Sequence, residues 1–273
     1  MSSPAPGQTF DIPRPPAAQV RNRNLLIGGA VLSVVLLVVV LATMNLPTWE
    51  RIMVGLRRTL PPLWRGFTHP DFELFPLAFN AMMETFYMAV IGTLLGGVLA
   101  FAVSFLAARN LLGGTARAMP GKALLVAVRT FPEILLAIIF VAAAGPGPTA
   151  GIMAMGIHSI GFLGKIFSDV IEGIDPGPLE AINAAGGNQV QVFFFAVVPQ
   201  VLPEFASNLL YRFEINLRAA TILGLVGAGG IGGPLIQRLQ FRRWDEISMI
   251  LIVIVSFIIV VDAVSSRIRR RLV

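Results

Sequence analysis

EAINAAGGNQVQVFFFAVVPQVLPEF, residues 180–205, lies between two long apolar segments and reads as neither a span nor a loop. Glu180, Asn183, Asn188, Gln189 and Gln191 make it a poor membrane crossing, Gly186-Gly187 interrupts it, and Pro199 and Pro203 close it. It is also too apolar and too helical in texture for an ordinary loop. Just upstream, Asp175 is placed to cap a helix whose first position is Pro176. Leu179, Ile182 and Ala185 then form one short apolar stripe. Gly186-Gly187 ends that helix, because glycine enters the left-handed conformation cheaply. Asn188 is placed to cap a second helix running through QVQVFFFAVV to Pro199. Two short helices meeting at glycine make a protruding knob, a shape suited to a groove on a soluble partner.

The surroundings say what the knob protrudes from. Of 273 residues 55% are hydrophobic and only 13% charged, with a mean hydropathy of +0.78. Soluble domains carry roughly 25% charged residues, so this is a membrane protein. The chain has no cysteine, which removes disulfides, thiol catalysis and Cys-zinc sites together. Its two histidines leave little for a His-rich metal site, and no metal is expected. The net charge of +6 would suggest nucleic acid in a soluble domain. Here the basic residues flank apolar runs and read as topology signals, so no nucleic acid is expected.

Six segments are long and apolar enough to be spans: 25–44, about 77–107, 122–143, 149–171, 197–227 and 246–266. The second and fifth exceed one crossing, so tilt or extension beyond the bilayer is expected. No cleavable signal peptide is expected, because the first run is longer than a signal core. Ahead of it, the proline-rich polar residues 1–24 read as a disordered cytoplasmic tail. Residues 25–75 read as a first span followed by an interfacial helix, in which Trp49, Ile52, Met53 and Leu56 oppose Arg51, Arg57 and Arg58. Arg21 and Arg23 before the first span, and Arg267, Arg269, Arg270 and Arg271 after the last, put both termini in the cytoplasm. The 180–205 stretch then falls there too. Gly92, Gly96, Ala100 and Ser104 in the second span, and Gly156, Gly161, Gly164 and Ser168 in the fourth, read as close helix contacts.

Ionisable residues inside spans are costly and point to function. Arg129 and Glu133 stand four apart across Pro132, which should bend or break the third span. Glu214 and Arg218 repeat that spacing in the fifth, with Arg212 nearby. His158 and Lys165 share one face of the fourth, and Lys165 is expected to snorkel. The two four-residue pairs fit either internal salt bridges or basic groups lining an anion's path. GLVGAGGIGG (224–233) has no preceding strand and ends a membrane helix, so it reads as a flexible external gate or re-entrant turn rather than a nucleotide loop.

The spacing of the opening stretch also resembles a known pattern. Glu180-Ala181, Gly186 six residues after the glutamate and Pro199 thirteen after the glycine resemble the EAA loop of ABC importer permeases. Ile182, Ala196 and Val198 depart mildly from the family's residues. RTFPE (129–133), HSIGFLGKIF (158–167), DPGPLEAI (175–182), YRFEINLRAATILGLVGAGGIG (211–232) and the basic tail resemble the permease of phosphonate importers, over roughly residues 76–271. The resemblance implies an all-α, six-span type I importer permease with its core in residues 76–273. It implies a coupling loop at about 172–199, with Glu180, Ala181, Gly186, Gly187 and Pro199 facing the ATPase. Arg129, Glu133, His158, Arg212, Glu214 and Arg218 are the candidate path residues, and no residue is assigned catalysis. The implied partners are a second copy of the chain, two cytoplasmic ATPase subunits and an external phosphonate-binding protein. The chain lacks a P-loop and needs no cofactor of its own, so ATP and Mg belong to the ATPase subunits.

An ion-gradient-driven transporter of a small anion is the alternative. Such transporters often show duplicated halves, and no repeat links residues 25–140 to 149–266. An intramembrane enzyme is disfavoured, since HExxH and cysteine are both missing.

Overall fold

The computed structural model describes residues 17–43 and 48–272, and side chains within them except for residues 17–24 and 112. Most of the expected tail, residues 1–16, lies outside them. Helix α1 (Ala17–Thr43) already includes residues 17–24, so that part of the expected tail is helical. Among the described residues, α1 and the start of α2 (Trp49–Thr68), up to Thr59, form one compact unit, and those from Leu60 onward form a second. The amphipathic segment is thus a helix, and α2 continues through Pro61 and Pro62.

In the larger unit, α3 (Phe75–Ala107) leads through α4 (Arg109–Leu112) to α5 (Thr115–Thr130), α6 (Glu133–Ala144) and α7 (Pro148–Glu172). α8 (Pro176–Ala184) and α9 (Gln189–Val192) follow, then a π turn (Phe193–Val197), α10 (Val198–Leu223), α11 (Gly232–Gln240) and α12 (Trp244–Arg269). By length and composition, five segments can cross a membrane: Leu25–Thr43, Phe72–Ala107, Pro148–Glu172, Gln189–Val226 and Trp244–Arg269. The bent pair α5–α6 supplies a sixth if it counts as one span. The expected break in the third span is there. Phe131 and Pro132 are extended, as the steric demand of proline on its predecessor requires, and the helix axis turns by 79°.

Small residues set the packing. A Cβ on Gly96 would stand 2.6 Å from the Gly156 carbonyl oxygen, and one on Gly161 would stand 2.7 Å from the Arg129 nitrogen. α7 is therefore held against α3 by one row of small residues and against α5 by another, close approach being the main packing device in lipid. At the knob end, Phe167 stacks on Phe205 with ring centroids 4.0 Å apart, and Val197 and Val201 complete that buried cluster.

Two expectations change. Pro199 does not close the second short helix. That segment continues unbroken from Gln189 to Leu223 because the turn before the proline is π-helical, with Val198 N–H donating to the Phe193 carbonyl five residues back. The wider turn relieves the clash of the proline ring with the carbonyl four residues earlier. The glycine-rich stretch, read as a flexible gate or a re-entrant turn, is a tied turn. Gly227, Gly229 and Gly230 adopt positive φ of 89°, 84° and 72°, Gly230 N–H donates to Glu84 Oε1 at 3.0 Å, and Ile231 N–H donates to Thr85 Oγ1 at 2.8 Å. A Cβ at Gly229 would lie 2.7 Å from the Pro148 nitrogen. The turn is tied to α3 and packed on α7.

Candidate functional site

The knob is built locally. Asp175 accepts from Gly177 N–H and caps α8, with Pro176 in its first turn. α8 ends in a Schellman turn: Gly187 N–H donates to Ile182 O at 2.9 Å and Gly186 N–H to Asn183 O at 3.0 Å. Gly186 carries φ +80° in open space, whereas a Cβ on Gly187 would meet Ile182 Cγ2 at 2.5 Å. The first glycine is needed for its backbone and the second for its size. Asn188 and Gln191 form a capping box over α9, each side chain accepting from the other's N–H at 2.9 and 2.8 Å. Gln200 of α10 then clamps the knob, accepting from Asp175 N–H at 2.9 Å and donating to Ala196 O at 2.8 Å. Leu179 and Phe193 pack on the buried cluster beneath. Glu180, Ala181, Gly186 and Pro199 are exposed and Gly187 is half-buried.

A second constellation lies inside the bundle, where α3, α6, α7 and α10 meet. Arg212 is 2% exposed. Its Nε donates to Ser159 Oγ at 2.9 Å, its Nη2 reaches Glu133 Oε2 at 3.3 Å and His158 Nδ1 at 2.8 Å, and its guanidinium lies 5.0 Å over the Phe162 ring. His158 Nδ1 thus stands between the Arg212 guanidinium and Glu133 Oε2, the latter at 3.4 Å. Asn216, one turn beyond Arg212, donates to Thr93 Oγ1 at 2.8 Å and Ser159 Oγ at 3.0 Å. Glu133 Oε1 and Asn216 Oδ1 are buried with no partner among the described residues.

Neither four-residue pair forms. The break at Phe131-Pro132 swings Glu133 away from Arg129 toward Arg212. Arg129 is left exposed and without an ion pair among the described residues. Glu214 accepts from Arg269 at 2.7 Å, and Arg218 reaches Asp262 at 2.5 Å, with side chains 48% and 36% exposed. Partners on α12 thus displace the intrahelical ones. Lys165 pairs with the exposed Asp169 one turn on. Arg212 and His158 are brought together, while Arg129 and Arg218 lie elsewhere, so the six path candidates do not form one lining. Asn216, Thr93 and Asp262 escaped the sequence reading. Asn216 falls one helical turn from Arg212, and Asp262 is the one acidic residue in 247–266; those positions were the available signals.

A helical bundle with five or six apolar spans, small-residue contacts and a capped knob at one end defines a polytopic α-helical membrane protein. Residues 100–273 match the family described as binding-protein-dependent transport system inner membrane component, and the chain belongs to that family. It is 42% identical over 206 residues to the phosphite transport system permease protein of Stutzerimonas stutzeri, covering 74% of this chain and 73% of that protein. It is 38% identical over 251 residues to the phosphate-import permease protein of Mycolicibacterium smegmatis, covering 92% of this chain and 46% of that one. Among solved structures, the inward-facing methionine ABC transporter superposes with a TM-score of 0.64 at 20% identity, covering 74% of this chain and 99% of that chain. The fold is that of a type I ABC importer permease. The permease identity decides against the gradient-driven alternative, and permease subunits of this family are not themselves catalytic.

Proposed function

We propose that this chain forms the translocation pathway of an ATP-driven importer for phosphonate or a related phosphorus oxyanion. Two relatives named for phosphite and phosphate import support the substrate class. In this reading two copies of the chain pair, and two cytoplasmic ATPase subunits, which hold ATP and Mg, receive the two knobs. An external binding protein delivers the anion. Glu180, Ala181 and the Gly186 turn meet the ATPase, and the Gln200 clamp passes its movement to α10, since rigid-body motion needs a stiff lever. The arginines at both chain ends favour termini and knob in the cytoplasm of a bacterial inner membrane.

The observation that carries the pathway assignment is Arg129. It stands exposed at the end of α5, where the span breaks, with no ion-pair partner among the described residues. A guanidinium at such a depth needs water, a partner or a passing anion. Arg212 plays a different part. Fully enclosed and held by Glu133, His158 and Ser159, it bolts the broken span to α7 and α10. Arg218, half exposed, contributes to the path from α10. The test is phosphite and methylphosphonate uptake into proteoliposomes holding the complete complex. Arg129→Gln should lower uptake about tenfold or more, the scale of one lost charged hydrogen bond, with receptor affinity unchanged. Uptake equal to wild type would remove Arg129 from the path, and wild-type vesicles that import no phosphorus oxyanion would overturn the substrate class.

A further inference from the structure

α10 and α12 meet along a polar seam that the pathway above does not use in full. On α10, Glu204, Ser207, Tyr211, Glu214 and Arg218 recur at three- and four-residue steps, one face of a helix. On α12 and its C-cap the facing residues are Asp262, Ser266, Arg269 and Arg270. Arg218 and Asp262 pair at 2.5 Å and Arg269 and Glu214 at 2.7 Å, with the Arg269 guanidinium 5.8 Å over the Tyr211 ring. Beyond these pairs the seam widens into a shallow cavity, largely open at the surface, lined by Glu204, Ser207, Ser266, Arg269 and Arg270. It lies at the knob end, because Glu204 is five residues past Pro199 and Arg269 closes α12. By rise alone that is about 38 Å from Trp244, the thickness of a whole bilayer.

We propose that this cavity is a binding site for a singly protonated phosphorus oxyanion at the release end of the permease, an inference that rests on the substrate class proposed above. Each lining group has a part. Arg269 is held in place by Glu214 and Tyr211, yet its Nε is buried with no acceptor among the described residues. Arg270 is exposed and makes no ion pair among the described residues. Two guanidinium groups and two hydroxyls supply donors that match phosphorus oxygens. Glu204 looks misplaced in an anion site, and its carboxylate has no partner among the described residues. It fits if the anion brings a proton. Phosphate monoesters lose their second proton near about pH 6, so near neutrality a fraction of such anions can donate P–O–H to Glu204. Sulfate and lipid phosphodiesters have no proton to give and would meet carboxylate against oxyanion. The same groups that hold the anion thus select against the commonest competitors.

The test uses the permease with its ATPase subunits in nanodiscs of zwitterionic lipid, without receptor or nucleotide, and radiolabelled inorganic phosphate as probe. Saturable binding is expected, about tenfold weaker in Arg270→Gln, a residue exposed enough that its loss leaves folding intact. Excess sulfate should not compete in wild type and should compete in Glu204→Gln. Equal binding in wild type and Arg270→Gln overturns the site, as does binding that falls only in Arg129→Gln. Sulfate competition in wild type removes the proton-based selection. Loss of phosphate binding in phosphatidylglycerol nanodiscs assigns the cavity to a lipid and overturns the solute assignment. Uptake by the receptor-supplied complex is measured in parallel. Wild-type import with no phosphate binding at this cavity sinks only this inference, whereas no import sinks the parent reading.

Discussion

Gly186 and Glu133 show how much single positions decide. At φ +80° the left-handed backbone costs a side chain about 1–2 kcal/mol, and a β-branched one more, while the open space around Gly186 rules out steric clash as the cause. Gly186→Val should therefore leave insertion and expression near wild type but misaim the knob. Substrate-stimulated ATP hydrolysis should uncouple from uptake, and retained coupling would refute this account of the turn. Glu133→Ala is expected to act through stability instead. It strands the enclosed Arg212 beside His158, and breaking a buried pair costs about 3–5 kcal/mol. The same principle holds that removing both charges is far less harmful. Combining Glu133→Leu with Arg212→Met should thus recover most of the lost thermal stability in detergent; a double variant as unstable as Glu133→Ala would show that the cluster does more than bolt helices.

Among elements, the α8–α9 knob and the α5–α6 break do opposite work. The knob carries its own caps and turns, so its shape is local, and Gln200 together with the apolar contacts of Leu179 and Phe193 fastens it to the bundle. Removing the N-cap with Asn188→Ala should cost about 1 kcal/mol and appear as faster amide exchange confined to Asn188–Val192. Gln200→Ala should leave those amides protected and weaken coupling, because the lever loses its fastening rather than its shape. Exchange that rises equally in both variants would count against this division. The break, by contrast, is held from outside. Proline opens it, and Arg212, on a helix distant in sequence, holds Glu133 in place.

At the scale of the whole molecule, one protomer offers one knob, and the half-exposed Arg218–Asp262 pair sits on two of its spans. Charges so placed need water or another chain beside them. Symmetric pairing around a central aqueous path meets both needs. Native mass spectrometry of the purified complex should find two chains of 29.3 kDa with two ATPase subunits, and a single permease chain would contradict the arrangement.

Residues close in sequence made the spans, the knob and the broken third span legible in advance. Span length, caps, glycine turns and proline breaks act over a few residues, and Asp175, Gly186, Asn188 and Pro132 do what their positions demand. The small-residue rows on α3 and α7 were legible for the same reason, since periodicity marks a contact face even when the partner is unknown. Charge pairing was not. Arg129 with Glu133 and Glu214 with Arg218 have the spacing of helical partners, yet the partners come from α7, α10 and α12. A carboxylate within a bundle takes the nearest guanidinium in space, and which one that is depends on how helices dozens of residues apart come to lie together. The turn before Pro199 follows the same rule in miniature: the proline's clash is written in the sequence, but that the helix widens into a π turn and continues, with Phe193 and Val197 packed on the cluster beneath, is visible only in the structure.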